Sequence, residues 1–166
     1  MKFFLNLFIV FLIIIFVSCA TQKKEEERSS ATEEKIIYDQ AQERIKTGNY
    51  SMAIDSLESL ERRFPFGKYA QQAQAELIYV YYENGLYESA VVAAERFISL
   101  HPRHPNTDYA YYMKGLAKFT KEKELLSTVP LLGELTYKRD LTKAKESFDE
   151  LTEFISRFPE SSYVED

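Results

Sequence analysis

His101 and His104 are the only histidines in the sequence, and the segment His101-Pro102-Arg103-His104-Pro105-Asn106 sets them at the His-x-x-His spacing of a metal-ligand pair. Zinc requires three or four ligands and a supporting outer shell. No third histidine exists, and the single cysteine, Cys19, stands far away in the chain. The expectation is a polar linker, with no metal and no cofactor. Glu58, Glu61, Glu146 and Glu153 fall at positions read as solvent-exposed helix faces. No glycine-rich phosphate loop, nucleophile elbow or paired-acid motif is present, so enzyme activity is not expected. Two features remain. Twelve tyrosines, concentrated between Tyr69 and Tyr112, offer contact area and a hydroxyl at low rotamer cost. Cys19 offers a thiol open to covalent modification.

Cys19 closes an N-terminal segment of distinct build. Lys2 is the only charge in residues 1–18, and the apolar run from Phe3 to Val17 is broken only by Asn6. That run is shorter than the ~20 residues a spanning helix needs. A basic start, an apolar middle and the small Ser18 are the parts of a secretory signal peptide. Two readings of Cys19 follow. In one it is an incidental thiol beside an uncleaved anchor. In the other, Val17-Ser18-Cys19 ends a lipobox, cleavage occurs before Cys19, its sulfur carries a diacylglycerol and its new amine is acylated. Two or three acyl chains, at about 0.8 kcal/mol per buried CH2, anchor stably where one binds reversibly. Lipoprotein signals usually place an aliphatic residue three positions before the cysteine, and here Phe16 stands there. Ala20 is not the aspartate that retains lipoproteins of enterobacteria-like envelopes in the inner membrane, so the lipoprotein reading implies an outer-membrane location facing the periplasm. Cleavage removes Lys2 and no acid, which takes the net charge from −5 to −6. An acidic secreted chain has no electrostatic reason to hold nucleic acid, and one cysteine excludes an internal disulfide framework.

Residues 19–34 are charged and lack large apolar groups, the composition of a lipidated flexible tether. From 35 to 166 the apolar residues follow a helical period, and the pattern itself recurs. Ala53, Ile54, Leu57, Leu60 and Phe64 mark one helix face; Ala90, Val91, Ala94, Phe97 and Ile98 mark a second; Ala144, Phe148, Leu151, Ile155 and Phe158 mark a third. Gly48-Asn49-Tyr50 and Gly85-Leu86-Tyr87 lie 37 residues apart, as do Pro65 and Pro102. Glycine supplies the left-handed backbone of a tight helix–helix turn, and proline stops the second helix. Pro-x-x-x-Tyr opens a new first helix at Pro65, Pro105 and Pro159. The pattern resembles tetratricopeptide repeats, whose usual period is 34 residues. The expected fold is an all-α, tetratricopeptide-like solenoid of three helix pairs (35–65, 69–102, 106–159) plus the start of a fourth. The third pair carries an apolar insert at 125–139, read either as a loop packed on its own repeat or as a docking element. No polar cap follows Phe158, so the solenoid reads as cut short.

In tetratricopeptide stacks the first helices line the concave face. On that register Tyr38, Gln42, Gln72, Tyr79, Tyr82, Tyr112 and Phe119 project into a groove suited to an extended peptide, whereas Tyr81 and Tyr109 read as packing residues. No basic patch accompanies them, so an acidic peptide is not the expected ligand.

The segments Pro65-Phe66-Gly67-Lys68-Tyr69-Ala70-Gln71-Gln72 and His101-Pro102-Arg103-His104-Pro105-Asn106-Thr107-Asp108-Tyr109 resemble the BamD family, tetratricopeptide lipoproteins of the outer-membrane β-barrel assembly machinery. Arg139-Asp140 and Phe158-Pro159-Glu160-Ser161-Ser162-Tyr163 resemble later landmarks of that family, and the resemblance runs from about residue 36 to the end. It implies a non-enzymatic scaffold whose partners are β-barrel assembly subunits and unfolded outer-membrane protein precursors. The family has five repeats, so this chain corresponds to its N-terminal three-fifths, the part implicated in receiving precursors. The insert does not resemble its counterpart. Carried over, Tyr69, Gln72, Tyr79, Tyr82, Tyr109 and Tyr112 become candidate precursor contacts. The alternative is another periplasmic tetratricopeptide adaptor, one that coordinates envelope division or cell-wall proteins.

Overall fold

The computed structural model describes residues 28–127 and 142–165. They form six helices: α1 over 28–46, α2 over Tyr50–Arg63, α3 over Ala70–Glu83, α4 over Tyr87–Leu100, α5 over Thr107–Ser127 and α6 over Thr142–Arg157. A 3-10 turn, Ser162–Glu165, follows. No strand occurs among the described residues. From α2 onward each helix packs on the next, and α3 also touches α5. This is the expected all-α, tetratricopeptide-like solenoid. The leader, Cys19 and residues 128–139 of the insert lie outside the described residues, while 125–127 continue α5.

The two glycine turns are the same device used twice. Gly48 and Gly85 have φ of 71° and 73°, the left-handed region where a side chain is strained. Gly48 N–H donates to Ile45 C=O and Asn49 N–H to Arg44 C=O; Gly85 N–H donates to Tyr82 C=O and Leu86 N–H to Tyr81 C=O. These crossed bonds are the Schellman closure that satisfies the last carbonyls of a helix.

Two cores result. Ala41, Ala53, Leu57, Leu60, Leu77 and Val80 fill the space among α1, α2 and α3. Ala75, Ile78, Ala94, Phe97, Ala110 and Met113 fill that among α3, α4 and α5. The buried alanines let the helix axes approach closely, which sharpens the cost of adding volume there.

Three expectations need correction. Residues 28–34, read as the end of a flexible tether, are helical, and Glu34 is only 5% exposed. Its carboxylate Oε1 accepts the Tyr69 N–H at 2.7 Å, so α1 is fixed to the start of α3 from this point. The apolar face assigned to α6 is shifted. Ser147 and Phe154 are buried, whereas Phe148 and Ile155 are 68% and 48% exposed. Counting back from Phe158-Pro159 as from Phe64-Pro65 and His101-Pro102 places Ser147 where Ala53 and Ala90 stand. Phe148 and Ile155 then match Val91 and Ile98, on the face α4 turns toward α5, and among the described residues no helix follows α6 to cover them. Finally, Glu58 and Glu61 are not plain solvent-facing carboxylates. Glu58 accepts the Tyr81 hydroxyl at 2.7 Å, while Glu61 accepts from Gln74 and pairs with Arg96, tying α2 to α3 and α4. Glu146 and Glu153 are exposed as expected.

Gly67 permits the Glu34 contact, because a Cβ there would stand 2.2 Å from Glu34 Oε1. Gly67→Ala should cost about 1–3 kcal/mol of stability by forcing that carboxylate away. Glu34→Ala should cost about 1–2 kcal/mol by leaving the Tyr69 N–H without its acceptor. Urea unfolding of both single variants and the double variant checks the coupling. The double variant should lose less than the sum of the two, since each removes the same contact.

Candidate functional site

The first helices of the pairs, α1, α3 and α5, face a common recess with a cavity of about 280 Å3. Gln42 and Ile45 come from α1; Gln72, Ala75, Glu76 and Tyr79 from α3; Asn106 from the linker just before α5 and Tyr109 from its first turn. Tyr163, from the final 3-10 turn, completes the lining. On α3 the positions 72, 76 and 79 follow the i, i+4, i+7 rule for one helix face.

Glu76 organises the polar side of this recess. Its Oε1 accepts the Tyr38 hydroxyl at 2.8 Å and Gln72 Nε2 at 2.9 Å, and its Oε2 accepts Gln42 Nε2 at 2.6 Å. No lysine or arginine pairs with Glu76 among the described residues. Neutral donors hold the carboxylate in place without cancelling its charge.

Tyr38, Tyr79 and Tyr109 are held protonated. Burial pushes the Tyr38 hydroxyl well above the usual tyrosine range, and its bond to Glu76 adds to that. Tyr79 is pushed up to about 12, first by its hydrogen bond with Tyr50 and then by burial. Burial raises Tyr109 too, with a further push from neighbouring Tyr163. Held neutral, these phenols can both donate and accept hydrogen bonds.

Of the residues carried over as contacts, Gln72, Tyr79 and Tyr109 line the recess. Tyr69 flanks it, stacked on Tyr38 with ring centroids 4.5 Å apart; Tyr112 flanks it on the other side, stacked on Tyr163 at 5.0 Å. Tyr82 does not join the lining. Its ring packs against Tyr87 and its hydroxyl lies 3.1 Å from Thr120 Oγ1. From the groove register, Gln42 lines the recess and Tyr38 reaches it through Glu76, but Phe119 is absent from its walls. Tyr109, read as a packing residue on that register, is both half-buried and part of the lining. Sequence reasoning missed Glu76, Ala75, Asn106 and Tyr163. The signal for Ala75 and Asn106 was the 37-residue period itself, compared position by position.

His101 and His104 belong to the linker, as expected. Both rings pack on Phe97, at 5.0 and 5.2 Å. His101 Nε2 donates to Gln74 Oε1 at 2.7 Å, the role left open because the Gln74 amide nitrogen donates to Glu61. His104 Nδ1 accepts the Asn106 N–H. His101 therefore stands where Phe64 and Phe158 stand in the other linkers.

The family model described as YfiO, outer membrane lipoprotein, matches residues 30–166. The chain belongs to that family. Curated relatives with the name outer membrane protein assembly factor BamD include one from Neisseria meningitidis serogroup B. It is 35% identical over 152 residues, covering 90% of this chain and 56% of the relative. One from Vibrio cholerae is 34% identical over 130 residues, covering 78% of this chain and 53% of the relative. One from Caulobacter vibrioides is 25% identical over 132 residues. The chain thus spans about half the length of the curated relatives it matches. The resemblance drawn from the two linker segments is borne out, and this member of the YfiO family carries the recess within the matched region.

The linker histidine gives a pH dependence. Burial lowers the His101 pKa from 6.5, and nearby His104 lowers it further. The folded state favours neutral imidazole, so this contribution to stability is complete above about pH 6.5, the unfolded value, and is lost as pH falls through the folded one. His101→Phe, the residue type at 64 and 158, should flatten the unfolding free energy between pH 7.5 and 5 relative to the unmodified chain. Urea melts at several pH values check this.

Proposed function

We propose that the chain is a non-catalytic, lipid-anchored scaffold of outer-membrane protein assembly, which holds unfolded β-barrel precursors and partner assembly subunits at the periplasmic face of the outer membrane. The observation that carries the reading is the recess between α1, α3 and α5, an open surface of neutral phenols, amides and one carboxylate. Such a surface pairs with exposed backbone amides and apolar side chains, the groups that an unfolded barrel strand offers in excess. The name borne by the relatives, outer membrane protein assembly factor, supplies the biological setting. Precursor contacts are assigned to Gln72, Tyr79 and Tyr109 in the lining, with Tyr69 and Tyr112 beside it. Tyr82 takes no direct part. Attachment to the membrane is assigned to acylated Cys19, on the sequence pattern Val17-Ser18-Cys19.

Depletion of the protein from its native cells should lower the level of folded outer-membrane barrels and raise that of unfolded precursors. Normal levels of folded barrels after depletion contradict the reading. Cys19→Ser should leave an unprocessed precursor that carries no diacylglycerol, checked by mass and by labelling with a fatty-acid analogue. Processing and labelling equal to the unmodified protein contradict the lipid anchor.

A further inference from the structure

The three linkers carry one hydrogen-bond pattern. Phe64, Gly67 and Ala70 N–H groups donate in turn to Leu60, Phe64 and Gly67 carbonyls. His101, His104 and Thr107 do the same to Phe97, His101 and His104; Phe158, Ser161 and Val164 repeat it on Phe154, Phe158 and Ser161. This equivalence aligns Tyr69, Asn106 and Tyr163. The glycine turns align the preceding first helices, since Tyr38 and Ala75 each lie ten residues before Gly48 and Gly85. Ala75 and Tyr112 in turn each lie five residues after Ala70 and Thr107.

Each repeat therefore pairs one first-helix position with one linker position. In the first repeat the pair is Tyr38 on Tyr69, stacked at 4.5 Å with planes 16° apart. In the third it is Tyr112 on Tyr163, stacked at 5.0 Å and 14°. In the second it is Ala75 and Asn106, which carry no ring, and both line the cavity of about 280 Å3. The chain's own side chains show what this geometry accommodates, a flat ring lying parallel to its neighbour.

We propose that the middle position, between Ala75 and Asn106, receives an aromatic side chain from a bound polypeptide, within a segment that carries no net negative charge. The charge condition follows from Glu76, whose carboxylate is met by neutral donors only, in a lining that holds no lysine, arginine or histidine. An acidic residue, or a chain-terminal carboxylate, meets repulsion there with no cation to offset it, whereas a neighbouring lysine or arginine meets attraction. Asn106, Tyr79 and Tyr109 line the same cavity and carry the amide and hydroxyl groups that can hydrogen-bond the flanking backbone. The inference rests on the reading of the recess as a polypeptide-binding surface and specifies which residues of the polypeptide it selects.

The test uses the purified full chain and capped ten-residue Gly/Ser/Thr peptides with a central tyrosine or a central alanine. Further tyrosine peptides are flanked by two lysines or two glutamates. Calorimetry or fluorescence anisotropy should rank the tyrosine peptide about tenfold tighter than the alanine peptide, with lysine flanks tighter and glutamate flanks weaker. Asn106→Tyr restores the residue type found at 69 and 163 and should abolish the tyrosine preference while leaving the thermal midpoint equal or higher. Equal binding of tyrosine and alanine peptides overturns the proposal, as does a preference that survives in a folded Asn106→Tyr chain. If that variant does not fold, the peptide ranking on the unmodified chain decides. Unfolded barrels that bind the Asn106→Tyr chain undiminished sink the recess assignment but leave the wider function standing. Tyrosine-selective peptide binding without barrel binding does the opposite.

Discussion

Helix α3 must serve two cores at once, and that constraint shapes the rest of the molecule. Ala73, Leu77 and Val80 face α1 and α2, while Ala75 and Ile78 belong to the cluster with α4 and α5. Two of its three faces are thereby committed to packing. The stripe Gln72, Glu76 and Tyr79 is left to line the recess, with Tyr79 also packed against the first core. A single helix pair cannot bury its apolar surface alone, so every internal first helix of a solenoid is pinned between neighbours in this way. The recess is the surface that this double commitment leaves over, held rigid because both flanking cores fix its backbone.

The polar chemistry of the recess follows from the same geometry. Stripe residues four apart lie one above the other, so Gln72 reaches Glu76 within α3, and α1 brings Tyr38 and Gln42 to the same carboxylate. A half-buried carboxylate held by three neutral donors is stable without a cation. The phenols around it, held protonated, present both donor and acceptor.

Much of this was legible before any coordinates. Two glycine turns and two prolines, each 37 residues apart, define the helix pairs, because the left-handed turn and the missing amide hydrogen are properties of those residues wherever they occur. The family followed from the Pro65–Gln72 and His101–Tyr109 segments. Other features escaped for identifiable reasons. The α6 face was set from Ala144 as the small residue, yet the position that matches Ala53 and Ala90 is the buried polar Ser147. Glu34 looked like part of a charged tether because its partner, the Tyr69 amide, is 35 residues away. Glu58 and Glu61 looked exposed because their partners Tyr81, Gln74 and Arg96 lie on other helices. Periodicity identifies which face of a helix is apolar, but it does not reveal which polar side chain reaches across to a neighbour. Among the tyrosines the same limit separates Tyr79 and Tyr109, which line the recess, from Tyr82, which turns to Tyr87 and Thr120.

On the proposed function the stripe on α3, and not the outer surface of the second helices, meets unfolded polypeptide. The most direct measurement places a photoreactive phenylalanine analogue either at Tyr79 in the recess or at exposed Val92 on α4 of the full chain. Each is irradiated with a urea-unfolded outer-membrane barrel freshly diluted into buffer. The account predicts covalent adducts from position 79 and few from position 92. Equal yields from the two positions, or adducts from 92 alone, contradict it.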